Sequence, residues 1–125
     1  MKVLCRLCIG SNYHRKENMA LAQRRLAEVF PLIRFAKERE TKPVSLHNRA
    51  LFSNQVACFY TETDREAIVG ILKRIEAEAG RKPEDKARER ICLDIDLLSY
   101  GNCILKPEDL KRDYIVEGLS ELKAQ

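Results

Sequence analysis

The sequence predicts an α+β fold with the element order βαββαβ, followed by a short hairpin and a final helix. Segments with strand-like alternation or continuous apolar character are separated by two stretches in which apolar residues recur at helical spacing. The two middle strand segments follow each other without an intervening helix. With 125 residues, 45% of them hydrophobic and 34% charged, the chain is expected to form one domain over residues 1–125.

The first half of the chain predicts a strand, a helix and a second strand. Lys2 to Ile9 is apolar enough for a buried strand, and it ends at the turn cluster Gly10-Ser11-Asn12. From about Lys16 to Phe30, apolar residues recur near helical spacing. Ile33 to Glu40 alternates and predicts the second strand. A long polar connection, Thr41 to Arg49, follows it, and loops of that length are often functional.

The second half repeats the pattern in the order strand, helix, strand. Phe52 to Thr61 predicts a strand buried on much of both faces, and Asp64 in Thr63–Glu66 is part of an N-cap signal for a helix that ends at Gly80. After the next strand, Tyr100-Gly101-Asn102 predicts a hairpin turn, and Pro107 to Leu122 has a last helical pattern. The order is that of a ferredoxin-like sandwich, an antiparallel sheet with helices on one face.

Two aspartates alternate with aliphatic residues in the segment Arg90 to Leu98. Side chains alternate between the faces of a strand, so Asp94 and Asp96 point the same way, with Cα atoms about 6.6 Å apart, while Leu93, Ile95 and Leu97 face the opposite side. Two adjacent carboxylates suit hard cations such as Mg²⁺, and a two-metal site could also hold a polyphosphate. An ordinary half-exposed strand with solvated aspartates has the same pattern, and the motif alone does not separate the two.

Composition and missing motifs limit the function classes. The net charge of +4 and the pI near 8.9 indicate a mild preference for anionic partners without choosing among them. Neither a Walker loop nor a Gly-x-Gly-x-x-Gly motif is present. No apolar run approaches the length of about 20 residues that a membrane-spanning helix needs, and no signal peptide is recognisable. Five cysteines, mostly in apolar segments, suit reduced thiols, so we expect a cytoplasmic protein without a membrane partner.

Four blocks, taken together and in order, resemble the 6-hydroxymethyl-7,8-dihydropterin pyrophosphokinase (HPPK) family of folate biosynthesis. The resemblance covers nearly the whole chain, and it rests on the order and spacing of the blocks. The blocks are Ile9-Gly10-Ser11-Asn12; Thr41-x-Pro43 with Phe52-x-Asn54; Arg74-Ile75-Glu76 with Gly80-Arg81; and Arg90, Leu93-Asp94-Ile95-Asp96 and Tyr100-Gly101-Asn102 with Arg112-Asp113-Tyr114.

The resemblance implies transfer of pyrophosphate from ATP to the hydroxymethyl group of the pterin, with release of AMP. It implies that Asp94 and Asp96 hold two Mg²⁺ ions and that Arg81, Arg90 and Asp96 are catalytic. The nucleotide-binding residues that it implies are Glu76, Arg81, Arg90, Lys106 and Arg112. The pterin-binding residues that it implies are Thr41, Pro43, Val44, Phe52, Asn54 and Tyr114. Without the resemblance, Phe52 and Tyr114 are equally consistent with ordinary core aromatics, and the arginines with a solvated surface.

Some positions depart from the family pattern. Lys42 replaces a proline, Lys106 replaces a nucleotide-contacting histidine, and the loop before Arg90 has no tryptophan. A divergent paralogue that binds pterin or nucleotide without turnover is therefore the alternative. A third reading, a basic nucleic-acid module, is disfavoured because the strands lack an aromatic-rich pattern. We expect a monomer that binds no nucleic acid.

Overall fold

An antiparallel sheet of six strands lies at the centre of the computed structural model, which describes residues 1–43 and 47–124. The strands of this described part are β1 (Val3–Ser11), β2 (Arg34–Phe35), β3 (Arg39–Thr41), β4 (Phe52–Thr61), β5 (Asp94–Tyr100) and β6 (Cys103–Ile104). The α-helices are α1 (Arg15–Val29), α2 (Arg65–Glu78) and α3 (Asp113–Ala124). Short 3₁₀ turns span Pro83–Asp85 and Asp109–Lys111.

The strand order confirms the predicted fold class. Along the sheet the order is β2-β4-β1-β5-β6, and β3 also pairs with β4. All pairings are antiparallel. The two short strands β2 and β3 together stand for the second strand of the predicted βαββαβ pattern, and the β5–β6 hairpin adds the last strand at the edge. The central position of β1, between β4 and β5, places the end of the first strand beside the strand that carries the aspartates.

Two helices pack on one face of the sheet and one helix packs on the other. Helices α1 and α2 pack on one face over the main core, which includes Leu7, Leu26 and Ile95. Helix α3 packs on the opposite face, where Ile115 and Leu122 join a smaller core with residues of β4 and β5. The sequence predicted the C-terminal helix but did not indicate its face. Since α3 covers only part of that face, the remainder stays open for a site.

Two predicted strands differ from the observed ones for local reasons. The predicted strand Ile33 to Glu40 is interrupted because the Lys37 N–H donates to the Glu121 carboxylate (2.9 Å) in α3 instead of pairing with β4. The aspartate strand begins at Asp94 and not at Arg90. The backbone of Ile91 is held by Asn12, whose N–H donates to the Ile91 carbonyl (2.9 Å) and whose Oδ1 accepts from the Ile91 N–H (2.6 Å).

A Gly118→Ala substitution is expected to destabilise the protein. A Cβ atom at Gly118 in α3 would lie 2.8 Å from Val56 Cγ2 and 2.9 Å from Val56 Cβ, which is too close for the helix to keep its distance from β4. Overpacking of this kind costs about 1–3 kcal/mol of unfolding free energy. Urea denaturation measures the change. The control is Gly70→Ala in α2, where nothing lies within 4 Å of the added Cβ and a gain of about 0.5–1 kcal/mol is expected. Equal effects at the two glycines would contradict the close approach of α3 to the sheet.

Candidate active site

The strand register brings the predicted aspartates and Asn54 to one face of the sheet, in neighbouring rows. Gly10 in β1 lies opposite Asn54 on one side and opposite Asp94 on the other. In the next row, Cys8 lies opposite Asp96. Directly opposed residues share a face, so these side chains project together on the side that carries α3. Because Gly10 has no side chain, the floor between Asn54 and Asp94 stays open.

A cavity of about 340 Å³ lies above this floor. Its lining includes seven of the predicted site residues: Thr41, Phe52, Asn54, Asp94, Asp96, Arg112 and Tyr114. They come from β3, β4, β5, the start of α3 and the residue before it, so segments up to about 70 residues apart in the chain meet here. The tertiary structure thus brings four of the six predicted pterin residues and both predicted metal residues to one cavity.

Asp94 lies close enough to Asp96 to affect the ionisation of the Asp96 carboxyl. Burial, followed by the charge of Asp94, raises the pKa of Asp96 to about 6, and Lys106 opposes the rise. A carboxylate that is partly desolvated beside a like charge gains from a bound cation, since the cation offsets both penalties. A cation bound at this pair would therefore offset the burial and the repulsion that raise the pKa of Asp96.

We expect the protein without metal to lose stability as the pH rises from about 4 to about 7. The folded state keeps the Asp96 proton up to a pKa of about 6, whereas an unfolded aspartate releases it near about 3.9, so this stabilisation is complete below the lower pKa and is lost through the higher one. After allowance for solvent screening, the expected size is about 1 kcal/mol. Urea denaturation over this pH range measures it.

The matched control for this pH dependence is Asp96→Asn, which should remove it. Added Mg²⁺ should restore stability at pH 7 but not at pH 4, because protons compete with the metal for the same carboxylates. A wild type and an Asp96→Asn variant with the same pH profile would show that Asp96 is not perturbed.

The predicted pterin residues combine a polar pair with aromatic rings. Asn54 is buried, and its Nδ2 donates to the Thr41 hydroxyl at 2.6 Å. This bond orients the amide and leaves Asn54 Oδ1 facing the Gly10 floor, where an added Cβ would lie 3.5 Å from it. Phe52 and Tyr114 are half-buried and line the same cavity, and burial raises the pKa of Tyr114 to about 12. The arrangement suits a flat ligand with polar edges.

Arg81 and Glu76 lie at the edge of the aspartate pair. Arg81 Nη1 is 3.2 Å from Glu76 Oε1 and 3.4 Å from Asp94 Oδ1. Glu76 also accepts from the Ile95 N–H at 2.7 Å, which ties α2 to β5. Burial raises the pKa of Glu76, and the Ile95 N–H opposes the rise. Arg81 and Glu76 thus both lie near the predicted metal position. In this structure they contact each other, Asp94 and the Ile95 backbone.

Arg90 belongs to a second, neighbouring cavity of about 650 Å³. The Arg90 guanidinium lies 4.3 Å from the centre of the Tyr13 ring, and the backbone N–H of Arg90 donates to the Asp85 carbonyl at 2.8 Å. The second cavity also contains Pro43 and Arg81, and it shares Phe52 and Ile91 with the first. The structure therefore separates the predicted site residues into two adjoining groups, with the cations Arg81 and Arg90 beside the aspartate cavity and not within its lining.

Two other predicted residues complete the comparison. Lys106 is exposed, and its positive charge opposes the rise in the pKa of Asp96, which places Lys106 near the aspartate pair. Val44 lies outside the described residues. The assignment of these and the other site residues to particular ligands stays a prediction.

The donor set fits Mg²⁺ bound together with a phosphate substrate. Among residues 1–43 and 47–124, no group of three or more His, Cys, Asp or Glu side chains is arranged to hold a metal ion alone. Mg²⁺ sites in phosphoryl-transfer enzymes typically use one or two carboxylates, with substrate oxygens and water as the other ligands. Asp94 and Asp96, on one face at a cavity, match that pattern.

Sequence reasoning did not single out every residue at this site. Cys8, Leu98, Asp109 and Ile115 also line the aspartate cavity, and so does Lys42, which the sequence indicated only as a departure from the family pattern. Asp109 Oδ1 is 3.1 Å from Arg112 Nε, so it orients the predicted nucleotide-binding arginine and adds a third negative charge near Asp96. The i, i+3 spacing of Asp109 and Arg112 was visible in the sequence. Their position at the cavity depends on how the segment before α3 folds back over the sheet.

Residues 6–124 match the protein family described as 7,8-dihydro-6-hydroxymethylpterin-pyrophosphokinase (HPPK). The chain belongs to the HPPK family. The family match and the fold agree with the resemblance that the ordered sequence blocks indicate. The HPPK family carries out pyrophosphoryl transfer from ATP to the hydroxymethyl-dihydropterin in folate biosynthesis and uses Mg²⁺.

Other comparisons add little to this assignment. No curated protein matches the HPPK chain. The solved structures similar to it include a de novo designed protein, Foldit4, at 16% sequence identity and a TM-score of 0.37, covering 79% of this chain and 98% of the designed one. That likeness is too weak to support a functional inference. Within the described residues of the HPPK domain, no helix is both long and apolar enough to span a membrane.

Proposed function

We propose that this HPPK domain transfers pyrophosphate from ATP to 6-hydroxymethyl-7,8-dihydropterin and releases AMP. The observation that carries the proposal is the common cavity of the Asp94–Asp96 pair and the Asn54–Thr41 pair, on either side of the Gly10 floor. The proposed metal-phosphate side and the proposed ring-binding side of the cavity thereby lie next to each other on one face of the sheet. Such an arrangement suits a reaction in which positioning and electrostatics do most of the work.

In this proposal the pterin ring binds between Phe52 and Tyr114, and the Asn54 amide pairs with a donor and an acceptor on its edge. This placement points the hydroxymethyl group towards Asp94 and Asp96. The hydroxyl oxygen bonds to the β-phosphorus while the bond from that phosphorus to the α,β-bridging oxygen breaks. The hydroxyl proton passes to water, and AMP leaves with the bridging oxygen and the electron pair of the broken bond.

Asp94 and Asp96 would hold the two Mg²⁺ ions that the resemblance implies. When bound, these ions supply charge neutralisation at the phosphate oxygens. Arg112 lies at the cavity with its guanidinium oriented by Asp109, and it would contact the nucleotide phosphates. Arg81 and Arg90 would reach the phosphates from the adjoining cavity, which requires Arg81 to exchange its contacts with Glu76 and Asp94 for contacts with the ligand.

The proposal is tested by AMP release from ATP with Mg²⁺ and the purified protein. AMP should form in amounts that match consumption of the hydroxymethyl-dihydropterin, and it should not form when the pterin or Mg²⁺ is omitted. An otherwise identical pterin that lacks the hydroxyl group is the matched substrate control. The absence of pterin-dependent AMP under conditions where the protein is folded would reject the proposal.

The second candidate is a divergent paralogue that binds pterin or nucleotide without turnover. It is favoured by the contacts of Arg81 and Arg90, which are with Glu76, Asp94 and Tyr13 in this structure. Under this reading, pterin or ATP raises the melting temperature while AMP release stays at the level of Asp96→Asn. Turnover above that level would exclude it.

A further inference from the structure

A third cavity, here called the α3 groove, lies on the same sheet face, beside α3. It is away from the aspartate cavity and is not the cavity that Arg90 lines. Its volume is about 380 Å³, within the range of small-molecule sites. Leu4 and Leu119 contribute to its apolar walls, and the cations Arg6, Arg34 and Lys123 line it as well. Among the described residues of the lining there is no Asp or Glu. The groove therefore combines an apolar surface with side chains that are only positively charged.

The two arginines are placed by the sheet register. Arg6 in β1 and Arg34 in β2 both lie opposite Cys58 of β4, so the three residues form one row across three strands, with neighbouring Cα atoms about 5 Å apart. Arg34 donates to the Leu122 carbonyl at 3.0 Å and to Cys58 Sγ at 3.4 Å. Arg6 donates to the Ser99 hydroxyl at 3.4 Å. Each guanidinium is anchored by neutral acceptors and keeps further N–H groups for a ligand.

The charge of these arginines is not neutralised within the described part of the chain. Neither Arg6 nor Arg34 forms an ion pair with a carboxylate there, in contrast to Arg39, which pairs with Glu117 (3.3 Å) and Glu121 (3.0 Å). Arg34 already donates to two acceptors and Arg6 to one, so part of the conformational entropy of these side chains is lost before an anion binds. The groove is thus prepared for a carboxylate on an apolar body.

We propose that this groove binds a small amphiphilic carboxylate, with its anionic group between Arg6 and Arg34 and its apolar part against Leu4 and Leu119. A second copy of the chain fits less well. A two-fold interface brings the same surface together from both sides, so the cations would face their own copies without counter-charges. The site is separate from the aspartate cavity and does not depend on the proposed reaction.

The test is a titration of the isotope-labelled full chain with octanoate, followed by amide NMR at constant ionic strength. Octanoate should shift the signals of Leu4, Arg6 and Leu119, and the neutral analogue octanamide should bind at least about tenfold more weakly. Arg6→Gln should weaken octanoate binding by a similar factor. The matched control is Arg24→Gln, at an exposed arginine of α1 on the opposite face, which should leave binding unchanged.

Several results would overturn the inference. They are equal binding of octanoate and octanamide, binding of inorganic phosphate as tight as that of octanoate, equal losses in the two variants, and shifts confined to the aspartate cavity. Concentration-dependent association of the chain without octanoate would identify a second copy as the occupant instead. If Arg6→Gln fails to fold, the signal shifts of the wild type with the charged and neutral analogues still decide the question.

Discussion

Asp96→Asn is expected to lower pterin-dependent AMP release by about 10²–10³-fold. Asn keeps the size of the side chain but removes half of the negative charge of the same-face pair, so cation binding and phosphate neutralisation both weaken. The same change should stabilise the metal-free protein at pH 7, because the ionised Asp96 carboxylate is partly buried beside Asp94. Loss of activity together with a gain of stability would separate a functional role from a folding role.

The matched control is Asp109→Asn, which removes a carboxylate from the same cavity but leaves the Asp94–Asp96 pair intact. We expect an activity loss of less than about tenfold, through a less well oriented Arg112. Initial rates at saturating ATP, pterin and Mg²⁺ measure both variants. Equal losses in the two variants would mean that the overall negative potential matters and not the same-face geometry.

Phe52→Ala and Tyr114→Ala are each expected to raise KM for the pterin by about 10–100-fold. Removal of an aromatic side chain from a binding cavity costs about 1.5–3 kcal/mol of buried apolar surface, which corresponds to that factor. KM for ATP should change little, because in the proposed binding mode the two rings contact the pterin and not the nucleotide. Steady-state kinetics with each substrate varied separately measure the two constants.

The control for the aromatic substitutions is Tyr60→Ala on the same strand as Phe52. Tyr60 is 62% exposed and does not line the cavity, so neither KM should change. Tyr114→Phe should keep most of the pterin affinity, since the ring and not the hydroxyl forms the proposed wall. An increase of KM for ATP as large as that for the pterin would place the nucleotide, and not the pterin, against these rings.

Local patterns in the sequence were sufficient for the elements and for the orientation of the aspartates. Strand alternation placed Leu93, Ile95 and Leu97 in the core and Asp94 and Asp96 on the other face, and the burial of the three aliphatic side chains confirms the orientation. That inference needs only the two-residue repeat of a strand. The same reasoning overextended the strand to Arg90, because the bonds of Asn12 to Ile91 connect residues that are distant in sequence.

The position of Arg90 could not be predicted from local sequence patterns. The sequence indicated an arginine near the phosphates, but its side chain is positioned by Tyr13, a residue 77 positions earlier, and it lines the second cavity. Asp109 was not predicted, because its approach to the aspartate pair depends on the path of the segment before α3. A motif identifies a residue type and a spacing, and it does not describe contacts across the sheet.

The sequence by itself determined the order of strands and helices, the common face of Asp94 and Asp96 and the family resemblance, because these depend on local periodicity and spacing. Only the tertiary structure decided that α3 packs on the aspartate side of the sheet, that Gly10 leaves an open floor between Asn54 and Asp94, and that Arg6 and Arg34 line the α3 groove. The physical reason is that strand register and helix packing are set by contacts between distant segments.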